Sequence, residues 1–139
     1  MIKDIKSISL FKQNLSLDSV PETSEEGKVS LTVGLGIETL DYNESTQTYR
    51  ALTRFHILFE DSKQELFSVM HMVSFTTEYY EELEEMVEDK NFNFAVFEII
   101  EPYIRERVYS AFEYTDYPTP SLPYRFWKRA IKLNRKVSA

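Results

Sequence analysis

The amino-acid sequence predicts an α+β fold: a four-stranded antiparallel sheet with a long helix and a second, C-terminal helix packed on one face. Three observations lead there. Between Ile5 and Phe75 apolar side chains recur at every second position, in four runs separated by polar or turn-forming stretches. From Phe94 to Phe112 the spacing changes to three and four, the period of a helix. Strands therefore come first and helices last, in the order of a sheet-and-helix sandwich.

The first strand spans Ile5 to Leu17, with Ile8 and Leu10 in one phase and Leu15 and Leu17 in the other. A slip of one residue between Lys12 and Asn14 reads as a β-bulge within a single strand. Ser19 to Lys28 is polar, contains Pro21 and Gly27, and reads as a loop. In the second strand Val29, Leu31, Val33, Leu35 and Ile37 alternate with Ser30, Thr32, Gly34, Gly36 and Glu38. The two glycines mark either a twist or bulge, or a place where another chain approaches the backbone. Asp41 to Thr46 turns the chain into a third strand, Tyr49 to Phe59, with Phe55, Ile57 and Phe59 on one face and Leu52, His56 and Leu58 on the other. After Asp61-Ser62-Lys63 the fourth strand, Leu66 to Phe75, is also apolar on both faces. A sheet covered by helices on one side leaves such a second face for a partner, so an oligomer is expected.

Glu78 to Asp89 is dense in carboxylates, with Leu83, Met86 and Val87 as a narrow apolar stripe. With no histidine and no calcium-loop pattern beside the acids, a short solvated helix is the reading preferred over a metal site. In the long helix Phe94, Phe97, Ile100, Ile104, Val108, Ala111 and Phe112 form the buried stripe, and Pro102 kinks it. Ser121 or Pro123 opens the final helix, where Phe126, Ala130 and Leu133 make an apolar edge. Residues 128–139 form a basic helix or tail carrying Lys128, Arg129, Lys132, Arg135 and Lys136. That cluster reads as a solvated face or, alternatively, as a site for an anionic partner.

A chain of 139 residues is expected to be one domain, residues 1–139. Its net charge of −7 argues against generic affinity for nucleic acid or for anionic membranes. The lack of any cysteine excludes disulfides, thiolate nucleophiles and cysteine-bound metal. No stretch is apolar enough to span a membrane and Lys3 and Lys6 interrupt any signal-peptide core, so the expected location is cytoplasmic. His56 and His71 both fall in strands among large apolar neighbours, which suits structural histidines better than ligands. There is neither a phosphate-cradling glycine loop nor a nucleophile elbow. No enzyme activity, catalytic residue, metal or cofactor is therefore expected.

Three landmarks point to a known family. Pro102-Tyr103-Ile104-Arg105-Glu106 lies on the long helix, Tyr117-Pro118 follows it, and Leu122-Pro123-Tyr124-Arg125-Phe126 leads into the last helix. Together they resemble the Pro-Tyr-x-Arg-Glu stretch, the Phe-Pro turn and the Ala-Pro-x-x-Phe segment of the SecB protein-export chaperones. Pro102, Tyr103, Arg105 and Glu106 hold the matching motif positions. The resemblance covers nearly the whole chain.

It implies a homodimer or homotetramer, without cofactor, that holds unfolded polypeptides and passes them to the SecA motor. It implies an edge role for the fourth strand, with Phe67, Val69 and His71 packing the dimer interface. It implies an apolar client groove made by Val29, Leu31 and Val33 with Phe126 and Leu133. Physically, such a groove must be broad and tolerant of shape, as aromatic and methionine side chains allow. Three departures stand out. Of the two carboxylates that dock SecA, one is matched by Asp18, but the other is replaced by the neutral Asn14, which weakens the expectation of SecA as a partner. The loop after the first strand has no aromatic residue, and the carboxyl end is basic rather than acidic. The alternative is a SecB-fold adaptor for one partner, such as an antitoxin or envelope factor. A small-ligand domain would need a closed pocket.

Overall fold

Alternation in the sequence becomes four long strands: β1 (Ile2–Leu15), β2 (Leu31–Asn43), β3 (Thr48–Phe59) and β4 (Glu65–Thr77). The structure is a computed structural model, and it describes residues 2–18, 29–77, 82–128 and 136–137. The strands are followed by a short helix α1 (Leu83–Glu88), the long helix α2 (Lys90–Glu113) and a 3-10 turn (Phe126–Lys128). A two-residue strand, β5 (Lys136–Val137), completes the order. The sheet runs β1-β4-β3-β2-β5; its first four strands are antiparallel, and β5 lies parallel to Thr39 and Leu40 of β2. The SecB-like expectation of a four-stranded antiparallel sheet with a long helix and a small second helix holds. The second helix is represented among the described residues by the 3-10 turn; β5 is an addition to what the sequence led us to expect.

One expectation needs correction. β4 is not an edge strand: it lies between β1 and β3. Phe67, Val69 and His71 are buried to 3% exposure or less inside the chain. They point at α2 rather than at a second copy, and they have no surface left for an interface. β1 is the edge, and β4 and β3 separate it from β2.

The one-residue slip in β1 is real but falls earlier than predicted. Register shifts occur between Ile2 and Asp4, between Ile5 and Ser7, and between Leu10 and Lys12, leaving Lys3, Lys6 and Phe11 as the extra residues. Bulges and lysines at an edge hinder unwanted strand addition.

The core forms between one sheet face and the helices. Leu35, Ile37, Tyr49, Ala51, Phe55, Ile57, Phe67, Val69, Val73 and Phe75 meet Phe92, Val96, Phe97, Ile100, Ile104, Val108 and Phe112 of α2. The stripe on α2 starts on Phe92 and Val96, whereas Phe94 and Ala111 are only half-buried. Each fully buried phenylalanine contributes about 2–3 kcal/mol of transfer free energy. Pro102 sits on the exposed side of α2, and the helix continues through it. A proline there costs least, because water can satisfy the carbonyl that it leaves unpaired.

Asp89 caps α2 by accepting from the Asn91 backbone N–H at 2.9 Å. Buried Asn93 ties the two helices together, its Nδ2 donating to the carbonyls of Val87 and Asp89 at 2.8 and 2.7 Å. The acid-rich stretch is thus a short helix whose apolar residues Leu83, Met86 and Val87 are buried. Residues 78–81, its beginning, lie outside the described residues.

On the opposite sheet face Leu52, His56, Leu58, Ser68, Met70 and Met72 are half-buried. Arg54 stands among them, 2.8 Å from Glu65 and 3.8 Å from Glu38. Gly34 and Gly36, opposite His56 and Arg54, are buried, so neither offers open backbone to another chain.

Candidate functional site

The segment after α2 is positioned by one side chain of the family-like motif. Arg105 donates through Nη1 to the Leu122 carbonyl at 3.0 Å and through Nη2 to the Pro123 carbonyl at 2.7 Å. Its guanidinium also lies 5.4 Å from the Phe126 ring centroid, and its Nε is 3.5 Å from Glu101. Glu101 in turn accepts from the Trp127 indole N–H at 2.8 Å. Only a planar fork can hold two carbonyls and stack on a ring at once. Glu101 and Arg105, four residues apart on one face of α2, thus form a clasp for the tail.

That clasp decides the fate of Phe126. The ring is 3% exposed and packs edge-on against Phe55 at 5.3 Å. Phe126 is therefore a core residue and not an accessible groove wall, which corrects the expectation for it. Leu133 lies outside the described residues. Of the other motif positions, Pro102, Tyr103 and Glu106 are exposed.

Val29, Leu31 and Val33 are half-buried at the start of β2, against the edge of the core. Val29 lines an apolar hollow of about 610 Å³ together with Leu17, Tyr114, Thr115, Asp116, Tyr117 and Pro118. Three separate segments meet there: the end of β1, the approach to β2 and the turn after α2. The turn is built locally, because the Thr115 hydroxyl lies 2.9 and 3.2 Å from the carbonyl oxygens of Phe112 and Tyr117 and donates to one at a time. The Tyr117 ring packs at a tilt against Phe112 at 5.8 Å, and burial pushes its phenol above the usual range, so it stays neutral. Tyr114 is 91% exposed beside it. Sequence reasoning used Tyr117-Pro118 as a landmark but missed it as a wall; the signal available was an aromatic-proline turn with no apolar partner in sequence.

Asp18 is exposed in the turn after β1, as is Asn14 within the strand. A second hollow of about 460 Å³ lies between β1 and α2, lined by Ile2, Lys3, Asp4, Ile5, Ala95, Glu98 and Ile99. Among the described residues no group of three or more histidines or acids could hold a metal ion. Among the same residues no helix is long and apolar enough to cross a membrane.

No protein-family model matches the chain, and no curated protein matches it. Its fold does match that of a SecB-like chaperone from Mycobacterium tuberculosis, solved in complex with a ChAD peptide from the HigA1 antitoxin. That match has a TM-score of 0.57 and 17% identity, over 86% of this chain and 85% of the other. A looser likeness, with a TM-score of 0.44, 10% identity and coverage of 87% and 99%, links it to a protein of unknown function from Streptococcus agalactiae. The chain has a divergent SecB-like fold.

Proposed function

We propose that this chain is a SecB-like holdase that binds unfolded polypeptide, without a catalytic step or cofactor. The observation that carries the reading is the apolar hollow of about 610 Å³ at Leu17, Val29, Tyr114, Tyr117 and Pro118. An unfolded client offers apolar side chains without a fixed shape, and rings at the rim of an open hollow bury area against many of them. The fold neighbour's complex with an antitoxin peptide supports a polypeptide as the ligand class.

The same complex favours a second reading, an adaptor for one partner such as an antitoxin. A homodimer or homotetramer belongs to the proposal, because Ile5, Leu10, Phe11, Tyr103 and Tyr109 along β1 and α2 leave apolar area exposed on the single chain. Hand-over to SecA, and hence a role in protein export, rests on Asp18 alone once Asn14 is neutral. A cytoplasmic location is part of the same proposal.

The test is light scattering after size exclusion, with and without a slow-folding, reduced client. We expect an oligomer that takes up several unrelated clients and keeps them soluble. Tyr114→Ser and Val29→Asp should each reduce uptake at least tenfold while the protein stays folded. Uptake of one client among many would establish the adaptor instead. Uptake of none would end the polypeptide-binding reading and leave the fold untouched.

A further inference from the structure

Beneath the middle of α2 sits a titratable group that polypeptide binding does not use. His71 is 3% exposed, and its Nδ1 is buried without a hydrogen-bond partner. It lies in register between Leu10 of β1 and Thr53 of β3, whose hydroxyl donates to the His71 carbonyl at 3.1 Å. From α2 it faces the Tyr103 ring at 6.4 Å and the positive charge of Arg107. No carboxylate among the described residues offsets that charge at His71. Arg107 itself reaches over to β1, its Nε donating to Gln13 Oε1 at 2.7 Å.

This arrangement couples a proton to a seam. Burial first, and the Arg107 guanidinium second, disfavour the imidazolium and hold the His71 pKa below the ordinary histidine value. When the seam is closed the ring is neutral; when the seam opens the ring meets water and titrates near 6.5, its ordinary value. The open form therefore binds the proton more tightly. Closure is fully favoured above that ordinary value and weakens as pH falls from it toward the lowered one. β1 is the element that would yield, being an edge strand, exposed along most of its length and interrupted by three register shifts.

We propose that the α2–β1 seam over His71 is an acid-operated gate, which opens when the ring takes up a proton and uncovers Ile8 and Val69. That the uncovered surface then holds more unfolded polypeptide rests on the function proposed above; the opening itself does not.

Hydrogen exchange of the full chain, corrected for the intrinsic effect of pH, tests the gate. Between pH 7 and pH 5 the amides of β1 should gain exchange by up to roughly tenfold per pH unit, the linkage slope for one proton, while those of β3 stay protected. His71→Phe should abolish the response, and His56→Gln, on the other sheet face, should keep it. Should His71→Phe fail to fold, the wild-type ring resonance of His71 supplies the check, since its titration must track the exchange of β1. Exchange of β1 that ignores pH, or a response that survives His71→Phe or departs from the His71 titration, overturns the gate. Opening of β1 with no gain in client uptake at pH 5 would overturn the claim that the uncovered surface holds polypeptide and leave the gate standing; loss of uptake at every pH would instead end the polypeptide reading.

Discussion

Two aromatic regions follow one another along the second half of the chain, and they end in opposite states. In the clasp, Trp127 and Phe126 are buried, with half-buried Phe94 5.1 Å from Trp127, and their polar neighbours are paired: the Trp127 N–H reaches Glu101, and Arg105 holds two carbonyls. In the turn after α2, Tyr114 is 91% exposed, Tyr117 is half-buried, and the hollow they rim stays open. Similar side chains thus lie in the core in one place and at an open surface in the other. What separates them is whether a long polar side chain from α2 pins the segment down.

The comparison can be broken at its strongest point first. Phe126→Ala removes a ring buried against Phe55 and should cost about 3–5 kcal/mol, lowering the thermal midpoint by roughly 10 °C or more. A midpoint that moves by a degree or two would mean that the tail is not part of the core. Arg105→Lys should cost less, about 1–2 kcal/mol, because the ammonium keeps the charge but cannot hold both carbonyls and stack on the ring. Were Arg105→Lys as stable as the parent in urea denaturation, the clasp would be a simple charge effect. Smallest of all should be the thermal effect of Tyr114→Ser, within about 0.5 kcal/mol of the parent, since that ring covers nothing. A stability loss comparable to that of Phe126→Ala would show that Tyr114 belongs to the core and not to a contact surface.

Much of this was legible in the residues. Period-two runs located β2, β3 and β4, and period-four spacing located α2 within a few residues. The shift in β1 was visible as a change of phase, although its true site at Phe11 was displaced by one to two positions. The stripe on α2 was misread at its ends, because Phe94 satisfies the helical spacing as well as Phe92 does, and only contact with Phe75 at 5.8 Å selects Phe92.

What the sequence determined by itself is local: which runs are strands, which run is the long helix, which faces are apolar, and that no cysteine is present. Tertiary structure alone decided that β4 is internal and β1 the edge, that Phe126 is buried, and that Leu17, Val29 and Tyr117 meet. Alternation reports which side of a strand is wet, but it is silent on which strand lies alongside, since pairing across the sheet joins residues far apart in sequence. A hollow assembled from three distant segments has no period at all, so it becomes visible only when long-range contacts bring its walls together.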